Sequence, residues 1–449
     1  MTITLLIAVI LAVILFTAVW KIHPLPVLLL GGFAFGVCTH RGVVGTLNLL
    51  ASGFGGTVKS IGLVIIAGTL IGAFMERRGA LRAIAEKIMA LTGEKRAPLA
   101  MSIIGFVVSI CIFCDSAFII LIGLWKKIGR MAKLPLALGA TALSMGLFAS
   151  HCFIPPTPGP LAALSILAAD FGKVLLFGAI AAAAATCGGY LYSMRAGRNE
   201  VLDEDAASAT AAETAPEVTF RSHWSIAFLP IVVPLVLIGG NSVVSVLKDR
   251  LPASVVDFSA AAGHPVTALT VGALIAIFLI GKCRRDELTV DGLIGKAVLD
   301  AANILAITGA GGAFGEVLKG ADLTPLLPKH PGSLGVLALL IPLAFAAVLK
   351  IAQGSSTLAI ITAASVAAPM LGALKLDTPN MRALCCCAVC CGGMIVSHTN
   401  DSYFWVVTKF SGMSVRQGLK LHTLGTLVSG LFAMAALVVI SLVCRRFCP

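Results

Sequence analysis

The chain is poor in charge and in aromatic rings. Charged residues fill 12% of its 449 positions and Phe, Trp and Tyr together 6%, against about 25% charged residues in an ordinary soluble domain. With 58% hydrophobic residues and a mean hydropathy of +1.00, the apolar runs are too numerous for a soluble core and point to a polytopic membrane protein surrounded by lipid. The formal net charge is nonetheless +12. It forms no basic stripe interleaved with aromatics, and most Lys and Arg stand in short loops between apolar runs, so nucleic acid is not an expected partner. No Lys or Arg precedes Lys21. The opening apolar stretch therefore lacks the positive n-region of a signal peptide, shows no clear small-residue cleavage site, and reads as a retained first helix. A disulfide framework is lacking too. Most of the 13 cysteines lie inside apolar runs, and free Cys there behaves as a small buried hydrophobe. Cys111 and Cys114, like Cys387 and Cys390, have CxxC spacing, but helix packing through small residues is preferred to metal or redox work.

A spanning helix needs about 20 apolar residues. Stretches 3–20, 24–39, 60–75, 174–194, 225–246, 265–281, 298–318 and 421–443 are candidates. Four others are interrupted: 97–124 and 335–372 carry a polar break near the middle, and 135–170 and 383–407 a polar or proline-rich one. The 28 residues of 97–124 are too many for one span and few for two. Two arms that meet inside the membrane, a re-entrant hairpin, fit better.

The chain also resembles itself. Gly72-Ala73-Phe74-Met75-Glu76 matches Gly312-Ala313-Phe314-Gly315-Glu316, and at the same offset of 240 Asp115-Ser116 falls on Ser355-Ser356. The run GLFASH, from Gly146 to His151, matches GMIVSH, from Gly393 to His398, at an offset of 247. Matches in one order predict two homologous halves: 1–194, with hairpin 97–124 and broken helix 135–170, and 224–449, with hairpin 335–372 and broken helix 383–407. The hydrophilic segment 195–223 reads as a cytoplasmic linker. Each half crosses the membrane an odd number of times, so the second enters from the opposite side. The expected fold is all-α, an inverted-topology repeat of about ten transmembrane helices with two re-entrant hairpins and two broken helices. With the N-terminus outside, inner loops 21–23, 76–97, 125–134, 195–224, 282–297 and 408–420 hold 21 of the 33 Lys and Arg, the outer segments hold 11, and Lys350 is intramembrane. The positive-inside rule then places both termini on the outer face.

Charge at membrane depth is costly, faces protein or water, and usually marks an ion or substrate path. Asp115, in SICIFCDSAFIILIGLW, and Lys350, in LALLIPLAFAAVLKIAQGSS, are two such charges. Four breaks go with them. Cys114-Asp115-Ser116 is the tip of the first hairpin and Gly354-Ser355-Ser356-Thr357 the tip of the second. The run from Ser150 to Pro160 packs four prolines into six residues, which cannot continue a helix. The fourth break is Ser397-His398-Thr399-Asn400-Asp401-Ser402. Inverted repeats with broken helices hold substrate where such breaks converge. Helix starts after Ser116, Pro158, Ser356 and Asp401 would aim N–H groups at an anion, with Lys350 adding a full charge. The expected ligand is thus a small organic anion bearing hydroxyls, bound by Ser116, Thr157, Gly159, Lys350, Gly354, Ser355, Ser356, Thr357, His398, Asn400 and Asp401. A buried carboxylate readily takes a proton, which makes Asp115, with His151, the expected proton-coupling pair; no cofactor beyond that proton is expected. Blander readings stand beside these. Asp115 and Lys350 would form a buried ion pair across the hairpins, His151 and His398 would be satisfied core histidines, and the proline run only a kink. Glu76 and Glu316 fall at span ends and read as solvated. Asp300 and Asn303 have nothing else pointing to them. Trp20, Trp125, Trp224 and Trp405 read as interfacial anchors.

The motifs Phe113-Cys114-Asp115-Ser116-Ala117-Phe118, Pro155 to Pro160, Gly311 to Phe314, Ile351 to Thr357 and Ser397 to Trp405 occur in an order that resembles the gluconate permease family, the gluconate:proton symporters, over nearly the whole chain. The resemblance implies proton-coupled import of gluconate or a related small hydroxy monocarboxylate across a bacterial inner membrane, with an acid at Asp115 and a base at Lys350. Carriers of the wider superfamily are often dimers, so a homodimer is expected. Thr157 stands where gluconate members carry His, and Ser116 and Ala117 also depart from them. Glycerate, another sugar acid or D-serine are therefore alternative substrates. The rivals are a sodium-coupled organic-anion carrier, a channel, and an intramembrane enzyme using Asp115 and His151 as acid and base. The duplicated architecture speaks against the enzyme.

Overall fold

Inside lipid the backbone must satisfy its own hydrogen bonds, and helices do so within one segment. The computed structural model describes residues 2–39, 41–93, 96–110, 112–202, 220, 222–319 and 334–447, and among these there are helices and no strand. The first half runs α1 (Thr2–Ile14), continued by a π turn over Leu15–Val19, then α2 (Pro24–Cys38), α3 (Val43–Arg77), α4 (Ala80–Thr92), α5 (Ala97–Val108), α6 (Cys114–Ala132), α7 (Leu136–Phe153), α8 (Pro158–Ile166) and α9 (Phe171–Ala196). The second runs α10 (Trp224–Val246), α11 (Ala253–Ala262), α12 (Pro265–Phe278), α13 (Leu293–Leu318), α14 (Leu340–Gln353), α15 (Ser356–Ala367), α16 (Pro379–Met394), α17 (Ser402–Ser411) and α18 (Val415–Gly418). A π turn over Leu419–Thr423 then leads into α19 (Leu424–Phe447). Among the described residues seven helical stretches are long and apolar enough to cross a membrane, or eight when α11 and α12, bent by 57°, count as one span.

Several expected boundaries shift. α3 runs for 35 residues rather than over 60–75 alone, and α6 continues past 124 to Ala132. The stretch 335–372 begins with a 3-10 turn over Gly335–Leu339 before α14, and α15 gives way to another at Ala368–Met370. Trp125 is not an interfacial anchor. Its side chain is fully buried, its indole N–H donates to the Leu136 carbonyl at 2.9 Å, and its ring lies against Gly139. The cause is that α6 turns back sharply onto the start of α7. Trp20, Trp224 and Trp405 do reach the surface. Most of the segment 195–223, from 203 to 219, lies outside the described residues, as does Cys111.

Helices in lipid gain little from hydrophobicity and associate through close packing of small residues. α3 lies along α13, and a Cβ on Gly53 would stand 2.6 Å from the Gly312 carbonyl oxygen and 2.8 Å from Ala313 Cα. α5 and α7 meet in the same way: a Cβ on Gly105 would stand 2.6 Å from Leu143 O, and one on Gly146 2.2 Å from Ser102 O. These neighbours are backbone and cannot swing aside. Gly146→Leu is expected to lower stability by about 3 kcal/mol, the upper end for overpacking, read as a loss of melting temperature in detergent. The buried cysteines of α16 serve the same close packing, with Cys386 Sγ 3.8 Å from Pro160 O and Cys391 Sγ 3.2 Å from Gly430 O.

Candidate functional site

The second half supplies the centre of the site. α14 is apolar and ends at Gly354, whose φ of +80° is a left-handed turn that glycine adopts without strain. Lys350 sits in the last turn of α14, fully buried. Its ammonium donates to the Gly354 carbonyl at 2.6 Å and to Asp401 Oδ2, and lies 5.5 Å from the centre of the Phe148 ring. Asp401, also buried, caps α17 by accepting from the Tyr403 N–H at 3.1 Å through Oδ1. His398 Nε2 and Asn400 Nδ2 both donate to the Ile351 carbonyl, at 3.0 and 2.7 Å. The break 397–402 is thereby fastened over the end of α14. A Cβ on Gly354 would stand 2.1 Å from Asn400 O, which is why the turn has to be glycine.

The other breaks converge on the same place. α8 begins at Pro158 with Thr157 as its N-terminal neighbour. Gly159 faces Ile360, at 3.0 Å from an added Cβ, and Thr357 Cα, at 3.7 Å. Ser356 is buried, Thr357 half-buried, and exposed Ser355 accepts from the Leu358 N–H at 3.3 Å to cap α15. Asp115 and Ser116 lie in the first turn of α6 and are half-buried. Phe113 precedes that turn and packs 6.0 Å from the His151 ring, and Phe118 follows it 6.2 Å from Tyr403. His151 is buried in the last turn of α7, and its Nδ1 has no hydrogen-bond partner among the described residues. A cavity of about 30 Å³, large enough to admit water, is lined by Gly68, Thr69, Phe113 and Pro156 to Pro158.

Four expectations change. Asp115 and Lys350 do not pair: the lysine is held by Asp401, which is nearer because the break 397–402 folds directly over the end of α14. Lys350 is therefore not a bare positive charge in this state. Two of the four helix starts are not free for an anion either, since Ser355 and Asp401 already cap α15 and α17, and Asp401 does so with a negative charge. The first helix start also lies earlier than expected, at Cys114 rather than after Ser116. The Thr157 hydroxyl is engaged as well, donating to the Ile154 carbonyl at 2.6 Å. Of the residues set aside, Glu316 pairs with Lys319 at 2.6 Å, Asn303 bonds His23 at 3.1 Å, and Glu76 and Asp300 are exposed.

Behind Asp401 the break at Ser397 joins Ser144, His422 and Thr423, which belong to no motif of the sequence. Ser397 Oγ donates to Asp401 Oδ2, His422 Nε2 lies 3.0 Å from Ser397 Oγ, and His422 Nδ1 lies 2.9 Å from Ser144 Oγ. Thr423 Oγ1 donates to the Ser397 carbonyl at 2.6 Å, and Tyr403 OH to that of Ser144 at 3.2 Å. The signal available was one histidine within LKLHTLG, where the helix takes a π turn, a feature frequent at functional sites.

A profile of the GntP family permeases matches residues 1–443. The chain belongs to the GntP permease family. The permease is 33% identical over 410 residues to an "uncharacterized permease" of Haemophilus influenzae, covering 88% of this chain and 82% of that one. It is 28% identical over 433 residues to the gluconate permease of Pseudomonas aeruginosa, covering 94% of each. Among solved structures, the Alcanivorax borkumensis YdaH transporter, described as having an unusual topology, superposes with a TM-score of 0.64 at 15% identity, over 91% of this chain and 89% of that one. That likeness concerns the fold alone. The permease is thus a multi-pass membrane transporter of a family whose members include carriers of small organic acids, and not an enzyme.

Proposed function

We propose that this permease imports a small hydroxylated monocarboxylate, gluconate or a near relative, together with a proton, across the bacterial inner membrane. The observation that carries the reading is a fully buried lysine beside a buried carboxylate at the point where the chain's helix breaks meet. An intramembrane charge pair in a protein interior marks a substrate or ion path, and the Pseudomonas aeruginosa relative is named a gluconate permease. Lys350 binds the carboxylate. Thr157, Gly159 and Ser355 to Thr357 line the space between α8 and α15, Ser116 of the first turn of α6 adds a hydroxyl, and His398, Asn400 and Asp401 close it. Asp115, half-buried and in no ion pair among the described residues, exchanges the proton, with His151 beside it.

The architecture of the reading is alternating access by two inverted halves. α5 has 12 residues and α14 has 14, each short of the roughly 20 that a span needs. This supports re-entrant pairs α5–α6 and α14–α15. The polar contacts support the sidedness. Arg78 with Glu287, Lys87 over the Trp224 ring, and Lys420 with Glu200 each join two segments assigned to the inner side. Lys173 with Asn380 joins two assigned to the outer side, and Arg382 with Leu167 O and Arg445 with Gly335 O each join such a segment to the adjoining end of a membrane stretch, on the side where both termini then lie.

The test is uptake of radiolabelled gluconate and glycerate into proteoliposomes with and without an inward proton gradient. Gradient-driven accumulation is expected in the wild type, and a loss of at least about tenfold in Asp115→Asn, equivalent to about 1.4 kcal/mol. Accumulation driven by a sodium gradient at fixed pH would overturn proton coupling in favour of a sodium-coupled carrier. The Thr157 hydroxyl, tied to Ile154 O where gluconate carriers hold an imidazole, favours a second reading with a shorter substrate such as glycerate or D-serine. Competition by unlabelled D-serine in the same assay separates the two.

A further inference from the structure

Lys350, as the structure holds it, cannot serve a substrate carboxylate. Its charge is matched by Asp401, and a second donor position is taken by Gly354 O. An anion entering the site has to compete with a carboxylate already in contact. Asp401 in turn ends a buried chain of hydrogen bonds through Ser397 and His422 to Ser144, all of them nearly or fully inaccessible to solvent.

The direction of each bond follows from what each group can give. Ionised Asp401 only accepts, so Ser397 spends its single hydroxyl hydrogen on Asp401 Oδ2. Its oxygen then accepts from His422, which fixes the ring as the Nε2–H tautomer and leaves Nδ1 to accept from the Ser144 hydroxyl. The imidazole is held in this plane by Tyr403, Phe148 and Phe404, whose ring centres lie 5.3, 6.1 and 6.1 Å away.

We infer that Ser144, His422 and Ser397 form a proton relay that unlocks Lys350 for the substrate by neutralising Asp401. A proton taken up at His422 Nδ1 lets the Nε2–H pass to Ser397 Oγ, and the hydroxyl hydrogen of Ser397 moves to Asp401 Oδ2. The net change is one proton, now on Asp401. The imidazole ends neutral with its hydrogen on Nδ1, and Ser144 turns from donor to acceptor. Lys350 then lacks a counter-charge, and the carboxylate of the substrate supplies one. Loss of the proton runs the same steps backwards and expels the anion. Symport follows from the lock itself, because the apparent affinity for substrate scales with the fraction of molecules in which Lys350 is free. The titratable groups around the relay are Lys350 from α14, Tyr403 from α17, Cys114 from α6 and Cys152 from α7. Asp115 of α6 and His151 of α7 lie close enough to interact with Asp401 electrostatically. Asp115, half-buried, exchanges protons in the proposed function, whereas protonation of Asp401 gates binding. His422 is a positioning and relay residue that does not touch substrate.

The inference rests on the proposed transport of a monocarboxylate, and the experiment separates the two. Equilibrium binding of radiolabelled gluconate to the purified full-length protein is measured as a function of pH, beside proton-driven uptake in proteoliposomes. For wild type, binding is expected to tighten as pH falls. In His422→Gln and in Ser397→Ala the lock stays closed, so binding is weak and flat with pH and uptake drops by about tenfold or more. In Asp401→Asn, which keeps the cap on α17, binding is tight at every pH and proton-driven accumulation is lost. The double variant His422→Gln/Asp401→Asn is expected to bind like Asp401→Asn, a rescue that a merely misfolded His422 variant would not show. Uptake near wild type in both His422→Gln and Ser397→Ala, or no rescue in the double variant, overturns the relay while leaving the transport reading in place. Wild-type binding of gluconate that is absent or independent of pH overturns the relay together with the reading beneath it.

Discussion

Replacing Lys350 with methionine is expected to abolish accumulation of substrate and to destabilise the protein by about 3 kcal/mol, the low end for breaking a buried ion pair. The side chain is fully buried and Asp401 nearly so. Without the lysine, Asp401 is an uncompensated charge, softened only by the Ser397 hydroxyl and the Tyr403 N–H that it still accepts. A double variant separates structure from transport. Lys350→Met/Asp401→Asn removes both charges, while the amide that replaces the carboxylate still caps α17. The melting temperature in detergent is therefore expected to recover most of the loss, because a neutral replacement of a buried pair is often tolerated. Uptake stays absent, since nothing remains to bind a carboxylate. A double variant as unstable as the single one would mean that the junction depends on the lysine stem and its contact with the Phe148 ring rather than on the charges.

The next largest effect is expected at Gly354. Valine there meets two costs at once. A β-branched residue at a φ of +80° is a backbone outlier, worth about 1–3 kcal/mol. Its Cβ would also stand 2.1 Å from the Asn400 carbonyl oxygen and 2.6 Å from the carbonyl carbon. Backbone on both sides has to move, which separates residues 397–401 from the end of α14 and pulls Asp401 from Lys350. Uptake is expected to fall at least about tenfold even where the protein still inserts, a difference of about 1.4 kcal/mol. Gly354→Ala carries the same φ and the same clash with a smaller side chain, and is expected to retain more activity than Gly354→Val in the same proteoliposome assay.

Much of the candidate site is legible before any coordinates. Lys350 stands out because a lone cation in an apolar run is costly unless it meets a counter-charge or a ligand. Gly354, Pro155 to Pro160 and Ser397 to Ser402 stand out because each interrupts a helix for a nameable reason. His422 does not. A single histidine in LKLHTLG looks like a residue near the end of a span. Only the placement of its ring between Ser144 of α7 and Ser397, 278 and 25 residues away in sequence, gives it a part. Trp125 shows the opposite error. At a span end it resembles an anchor, and the fold buries it because α6 doubles back onto α7.

The sequence by itself determined that this chain lives in a membrane as helices and that those helices break at particular residues. Both are local consequences of hydropathy, proline and glycine, and neither depends on what packs against what. It also singled out Asp115 and Lys350 as charges set within apolar runs. Which acid meets the lysine was decided only by the tertiary structure. Along the linear chain Asp115 is the expected partner, and the choice of Asp401 rests on the fold of 397–402 over the end of α14, where Asn400 packs on Gly354 and leaves Asp401 in contact with the ammonium.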